Sequence, residues 1–356
     1  MRRGDRCEWY VHGRRCGFIR AIPSMMRFIA VRQVPRTVRR SRWRSAGLCL
    51  ALWFISGGTI AQQPDRATPT SAPANDQEPI TPIPQPPAAD PQKLALGKRL
   101  FVDRRLSHDG DLACSSCHDL HTNGADDSRR TTARDGSKLP FTVLTVFNAA
   151  LSFRLNWEGN FRTLEAQAQS SLENPANMAT SVDEVLTKLN ADPEVVRQFR
   201  DAYDRPPDKT SLLDAIATYE RSLVTPGSRF DRWLGGDSAA LTAEERTGYG
   251  LFKSLGCVSC HQGVNIGGNL FERHGIFRPL GSPLPEMLRV PSLRNVATMA
   301  PYFHDGSSST LDDTVRKMAA AQLDRTLSDQ QIAAIVAFLK TLTGTFDGVP
   351  VVAPPP

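Results

Sequence analysis

Beyond residue 61 the 356-residue chain lacks any basic excess. Residues 1–61 carry 13 Arg against Asp5 and Glu8, a net of +11, whereas residues 62–356 carry 30 basic and 35 acidic side chains, a net of −5. The overall charge of +6 and the pI near 9.0 therefore describe only the first sixth of the chain. That split argues against a nucleic-acid-binding body. Long apolar runs are scarce too: Ala46–Ile55 is too short to span a bilayer comfortably. No series of alternating apolar and polar residues marks successive strands, which argues against a sheet-based fold. Cysteine is sparse: seven in all, of which Cys7, Cys16 and Cys49 precede position 62. Only four remain beyond them.

Residues 1–61 read as a signal segment. Arg39-Arg40-Ser41-Arg42-Trp43-Arg44 precedes the apolar run, and the small-residue stretch Ser56–Ala61 follows it. This pattern predicts export to the periplasm with cleavage after Ala61; an uncleaved N-terminal anchor is the alternative. Residues 62–91 hold nine prolines in 30 positions and are expected to form an extended tether without a core. Residues 347–356 form a second Pro-rich tail. Between them the apolar periodicity is helical. Helices are predicted at 93–102, 193–203, 210–223 and 310–320. Others should start at the capping boxes Ser181–Glu184, Thr242–Glu245 and Ser328–Gln331. The expected fold is mainly α, with long loops rich in Gly and Pro.

The four remaining cysteines form Cys114-Ser115-Ser116-Cys117-His118 and Cys257-Val258-Ser259-Cys260-His261. C-x-x-C-H is the attachment pattern of c-type haem. Two thiols three residues apart can add to the two vinyl groups on one porphyrin edge, which leaves the adjacent His beneath the ring to ligate iron through Nε2. A Cys₄ zinc site, paired disulfides or a redox dithiol would each use C-x-x-C, but none requires a His after the second Cys, twice. Each motif follows a short helix, with Gly97–Phe101 before the first and Gly250-Leu251-Phe252 before the second. The separation of Cys114 from Cys257 leaves a domain's length of chain for each motif. Two covalently bound haem c groups are expected, each in its own cytochrome c-like domain, at 92–235 and 236–346.

From about Leu94 to Gly344 the sequence resembles the bacterial di-haem cytochrome c peroxidase family, which includes the methylamine utilization protein MauG. The resemblance rests on Leu96–Phe101, Arg105-Leu106-Ser107, Asn148-Ala149-Ala150, Trp157-Glu158-Gly159, Leu164–Ala168 and Asn174-Pro175. In the second half it rests on Val290–Asn295, Ala300–Gly306 and the closing stretch Leu327–Leu342. The resemblance implies a C-terminal haem that collects electrons from a small c-type cytochrome or copper protein. It implies an N-terminal haem that reduces hydrogen peroxide to water. It makes His118 and His261 the proximal ligands, Met318 the distal ligand of the C-terminal haem and Trp157 a relay between the two. Without the resemblance, Met318 reads first as a core methionine of the 310–320 helix, and a buried structural residue is the ordinary reading of Trp157.

The sequence departs from the family at the N-terminal haem. The distal His that closes this haem in many members falls at Arg134, and His121 lies too near His118 to reach the opposite face. His108 is a weak substitute. The haem is therefore expected to be open in the oxidised state. The family's distal Glu falls at Asn177, which cannot carry a proton, although the neighbouring Gln167 is kept. Glu173 and Arg134 are the remaining candidates for acid–base and polarising roles. Thr142 replaces the family's calcium-ligand Asn, which counts against Ca²⁺, although Met299 and Pro301 still offer carbonyls; Asp126-Asp127 reads as a solvated loop. Arg278, Arg289, Arg316 and Lys317 are the cations nearest the C-terminal haem for donor docking. A MauG-like oxidant acting on a partner protein and a non-catalytic electron-transfer or redox-sensing cytochrome are the alternatives. A homodimer is left open.

Overall fold

Helix starts follow the chemistry of their first residues. The computed structural model describes residues 78–125, 133–137, 139–281 and 285–355, all within one compact unit. The leader 1–61, tether residues 62–77 and Asp126-Asp127 lie outside the described residues. The Asp90 carboxylate accepts from the Gln92 and Lys93 amides, and Pro91 opens α1 (Pro91–Phe101). Thr242 and Ser328 form complete capping boxes before α7 (Ala243–Ser254) and α9 (Asp329–Lys340). Ser181 caps α3 (Val182–Asn190), but Glu184 does not return the bond. Its carboxylate is taken by His108 and Lys188 instead, which hold it well below the usual carboxylate range, at about 2. The helices α4 (Pro193–Tyr203), α5 (Lys209–Ser222) and α8 (Leu311–Leu323) lie close to their predicted positions. Periodicity did not mark α2 (Leu164–Glu173), which is rich in Gln and Ser, or the short α6 (Arg229–Leu234). The described strands are only two antiparallel pairs: β1 (Phe271–Arg273) with β2 (Met287–Arg289), and β3 (Thr345–Phe346) with β4 (Val349–Pro350).

The two halves repeat each other closely. In the first, α1 crosses α5 at Gly97, where a Cβ would run into the Ala215 carbonyl and stand 2.8 Å from Tyr219. In the second, α7 crosses α9 at Gly248, where the same built atom would run into the Ala334 carbonyl and stand 3.0 Å from Phe338. Only glycine permits either crossing. Gly248, not Gly250, is therefore the counterpart of Gly97; Gly250 faces open space. After each haem motif, an asparagine in the left-handed region donates its amide to the end of the long helix. Asn148 (φ 60°) binds the Leu223 carbonyl and Asn295 (φ 60°) that of Leu342. Their side-chain oxygens accept from the amides of Thr225 and Gly344, and both side chains meet at the Thr225 hydroxyl.

Two Pro-rich segments carry more structure than their composition predicts. Residues 78–83 strap the second half. Ile80 is 1% exposed and belongs to the core built from α6, α7 and α9. The Pro79 carbonyl accepts from the Gly263 amide, and the Thr81 carbonyl accepts from Arg294. Glu78 meets Lys253 at 3.2 Å. Two isoleucines between prolines suffice, because the strap adds to an existing core and need not build one. The tail is likewise held: the Val351 amide donates to Gly344, and its side chain packs with Phe101, Phe147, Tyr219 and Phe346.

Candidate functional site

Each C-x-x-C-H motif forms one 3₁₀ turn, Cys114–Ser116 and Cys257–Ser259, in which the His amide donates to the first Cys carbonyl. No disulfide joins the four cysteines. Burial pushes the Cys114 thiol up to about 12 and Cys257 to about 11, which keeps both in the neutral form. His118 Nδ1 lies 3.0 Å from the Gly124 carbonyl, and His261 Nδ1 lies 3.2 Å from that of Ile266. A carbonyl can only accept, so each Nδ1 carries the proton and Nε2 is the basic nitrogen. Burial lowers the affinity of both rings for a second proton, to about 4 for His261. Two reduced thiols and a neutral His with a fixed tautomer are the donor set of a c-type haem. The residues fit the group in both halves.

Trp157 is buried and donates through Nε1 to the Thr142 carbonyl at 2.9 Å. Its ring meets His304 edge-on at 6.3 Å, and Phe141 and His274 extend this aromatic cluster. Within the repeat, Trp157 and His304 occupy equivalent places, at the same offset from Asn148 and Asn295 respectively. The sequence did not disclose that the two touch. Met318 lies on α8, half-buried and outside the packed core that its neighbour Ala319 joins.

The other candidates of the first half are spread out. Gln167 donates through Nε2 to the Ser171 hydroxyl at 3.0 Å, one turn along α2. Glu173 is exposed in the last turn of α2, where it accepts from Gln169. Arg134 pairs with Asp109 and, at 3.2 Å, with Asp111, while its amide donates to Ala176. Asn177 is exposed. His108 is bound to Glu184 at 3.0 Å and His121 is exposed. Thr142 donates its amide to His304 and its hydroxyl to Phe303.

Of the four cations proposed for docking, Arg289 is misassigned. It is 6% exposed, with Nε donating to Asn156, and burial lowers its affinity for the proton, to about 10. Its charge holds the loop bearing Trp157. Arg278, Arg316 and Lys317 are exposed, each beside a carboxylate.

Residues 91–239 match the family model for di-haem cytochrome c peroxidase, and residues 246–343 match that for cytochrome c. The chain is 38% identical over 298 residues to the cytochrome c peroxidase Ccp of Escherichia coli, covering 79% of this chain and 64% of that one. It is 36% identical over 315 residues to the cytochrome c551 peroxidase of Nitrosomonas europaea, covering 83% and 89%. A solved MauG-like protein associated with microbial copper homeostasis superposes with a TM-score of 0.64 at 27% identity, covering 79% of this chain and 96% of that one. With relatives at this identity across both halves and two cradles built for c-type haem, the chain belongs to the di-haem cytochrome c peroxidase family of oxidoreductases.

Proposed function

We propose that the protein is an exported di-haem peroxidase that reduces hydrogen peroxide to water with electrons from a small c-type cytochrome or copper protein. The haems, when bound, supply the one-electron chemistry. Cys114 and Cys117 hold one through thioether bonds, and Cys257 and Cys260 hold the other. His118 and His261 ligate through Nε2, with the Gly124 and Ile266 carbonyls fixing each ring. Met318 would supply the second ligand of the C-terminal haem, where its thioether would favour the reduced state of an electron-collecting site. Trp157 with His304 forms the contact through which the second half passes electrons to the first. Arg278, Arg316 and Lys317 form the surface toward the donor. Periplasmic location is proposed on the leader alone.

The repetition carries this reading. Two cradles share the same His-to-carbonyl bond, and an aromatic pair joins the halves at matched positions. In the first half His108 is engaged by Glu184 and His121 is exposed, which favours a haem open to peroxide in the oxidised protein. Steady-state oxidation of a reduced small cytochrome c by hydrogen peroxide tests the proposal. Turnover dependent on both haems supports it. Inertness to peroxide in a fully haem-loaded protein would leave an electron-transfer role, and modification of a partner protein without donor turnover would leave the MauG-like one.

A further inference from the structure

The repeat extends beyond the aromatic pair. At the same offset after each left-handed asparagine an isolated antiparallel bridge forms, Leu155 with Phe161 and Tyr302 with Ser308. The residue before Trp157 and the residue before His304, Asn156 and Phe303, both have φ 68°. Gly159 (φ 64°) and Gly306 (φ 71°) then turn the chain. Thr163 caps α2 through the Ala166 amide as Thr310 caps α8 through that of Asp313. Helix α2 packs on α5, and α8 packs on α9. Leu164 and Leu311 are buried at the first position of each helix, and Leu172 and Ala319 are buried further along the matched faces. In this register the counterpart of Met318 is Ser171: it follows Asn148 and Leu164 as Met318 follows Asn295 and Leu311, and it is half-buried in the same way.

Methionine reaches outward to a δ sulfur that can ligate iron. Serine stops at a γ hydroxyl, which at neutral pH is a hydrogen-bonding group and a poor ligand. At the position where the second half carries its proposed ligand, the first half has a short polar side chain that ends two atoms sooner. Gln167 Nε2 donates to the Ser171 oxygen at 3.0 Å, so the hydroxyl's own hydrogen is directed elsewhere.

We propose that Ser171 lies over the sixth coordination position of the N-terminal haem, where its hydroxyl, held by Gln167, donates a hydrogen bond to the oxygen of an incoming peroxide. The proposal rests on Met318 being the ligand in the second half. It explains how one repeated helix builds a closed site in one half and an open site in the other. It also gives the kept Gln167 a task, orienting Ser171, which requires no ionisable side chain at 177.

Spin state tests this without reference to turnover. In oxidised, fully haem-loaded protein, Ser171→Met is expected to convert the N-terminal haem from high-spin to low-spin and to weaken fluoride binding at least tenfold. Ser171→Ala should keep the high-spin signal and weaken fluoride binding roughly three- to tenfold, the loss of one hydrogen bond. Met318→Leu should make the C-terminal haem high-spin; an unchanged spectrum there refutes the Met318 assignment separately. With that assignment upheld, a Ser171→Met protein that stays high-spin and binds fluoride normally overturns the proposal, as does a wild-type N-terminal haem already low-spin at rest. Should Ser171→Met fail to assemble, unchanged fluoride affinity in Ser171→Ala overturns it equally.

Discussion

The two halves use one plan and differ in what they add to it. Each has a glycine-pinched helix pair, a 3₁₀ C-x-x-C-H turn, a left-handed asparagine and a threonine-capped helix packed on the long helix. The second half is the more tightly tied. The strap 78–83 lies on it, the Arg294–Asp231 ion pair is buried at 2.7 Å, and Met318 stands on α8. The first half keeps its ion pairs nearer solvent, as at Arg105 and Asp192, and carries Ser171 in place of the methionine. It also buries Glu220 on α5 where the repeat has Leu339 on α9. Electron collection suits a saturated, rigid site and substrate reduction an open one, so the differences follow the proposed division of labour.

Breaking each half in turn should separate the roles. The largest effect is expected from His118→Gly, which should reduce peroxide turnover to background while the haemochrome assay still reports two haems. His261→Gly should instead block reduction by the donor while fluoride still binds the N-terminal haem. Asp231→Ala leaves Arg294 buried and unpaired and should cost about 3–5 kcal/mol in urea unfolding. Arg197→Ala, at an exposed pair on α4, should leave the urea midpoint nearly where it was.

Glu220 gives the first half a pH dependence that Leu339 denies the second. Burial, with the Glu165 charge nearby, raises its carboxyl from 4.5 to about 8, and its Oε2 has no hydrogen-bond partner. Between these values the unfolded chain has lost a proton that the folded chain retains. This contribution to stability is therefore full below pH 4.5 and is lost as pH rises through about 8. Glu220→Gln should flatten that loss, about 4 kcal/mol, when unfolding is measured from pH 5 to 9. The glycines sharpen the comparison at smaller scale. Gly97→Ala and Gly248→Ala should each cost about 1–3 kcal/mol by forcing helices apart. Gly250→Ala should be neutral or stabilise by up to about 1 kcal/mol, because the added methyl meets open space.

Much of this was legible in the residues. The C-x-x-C-H pairs, the capping threonines and serines, and the helical periodicity each act over a few neighbouring positions, so reading them needs no knowledge of the fold. What failed depended on distant partners. Glu184 looked like the return arm of a capping box until His108, from another segment, took its carboxylate. Arg289 looked like a surface cation until its loop turned it inward to Asn156. Ile80 and Val351 looked like fragments of disordered Pro-rich ends, because composition reports whether a segment can build a core, not whether it can join one.

The sequence by itself determined that this chain carries two c-type haem motifs on a mainly helical frame, because thiol spacing and an adjacent histidine are local covalent facts. Tertiary structure alone decided which glycine pairs with which, and that Trp157 meets His304. It also set Ser171 opposite Met318 in the repeat. Those equivalences are carried by backbone angles, caps and helix crossings, which unlike side chains can occupy without leaving a trace in sequence identity.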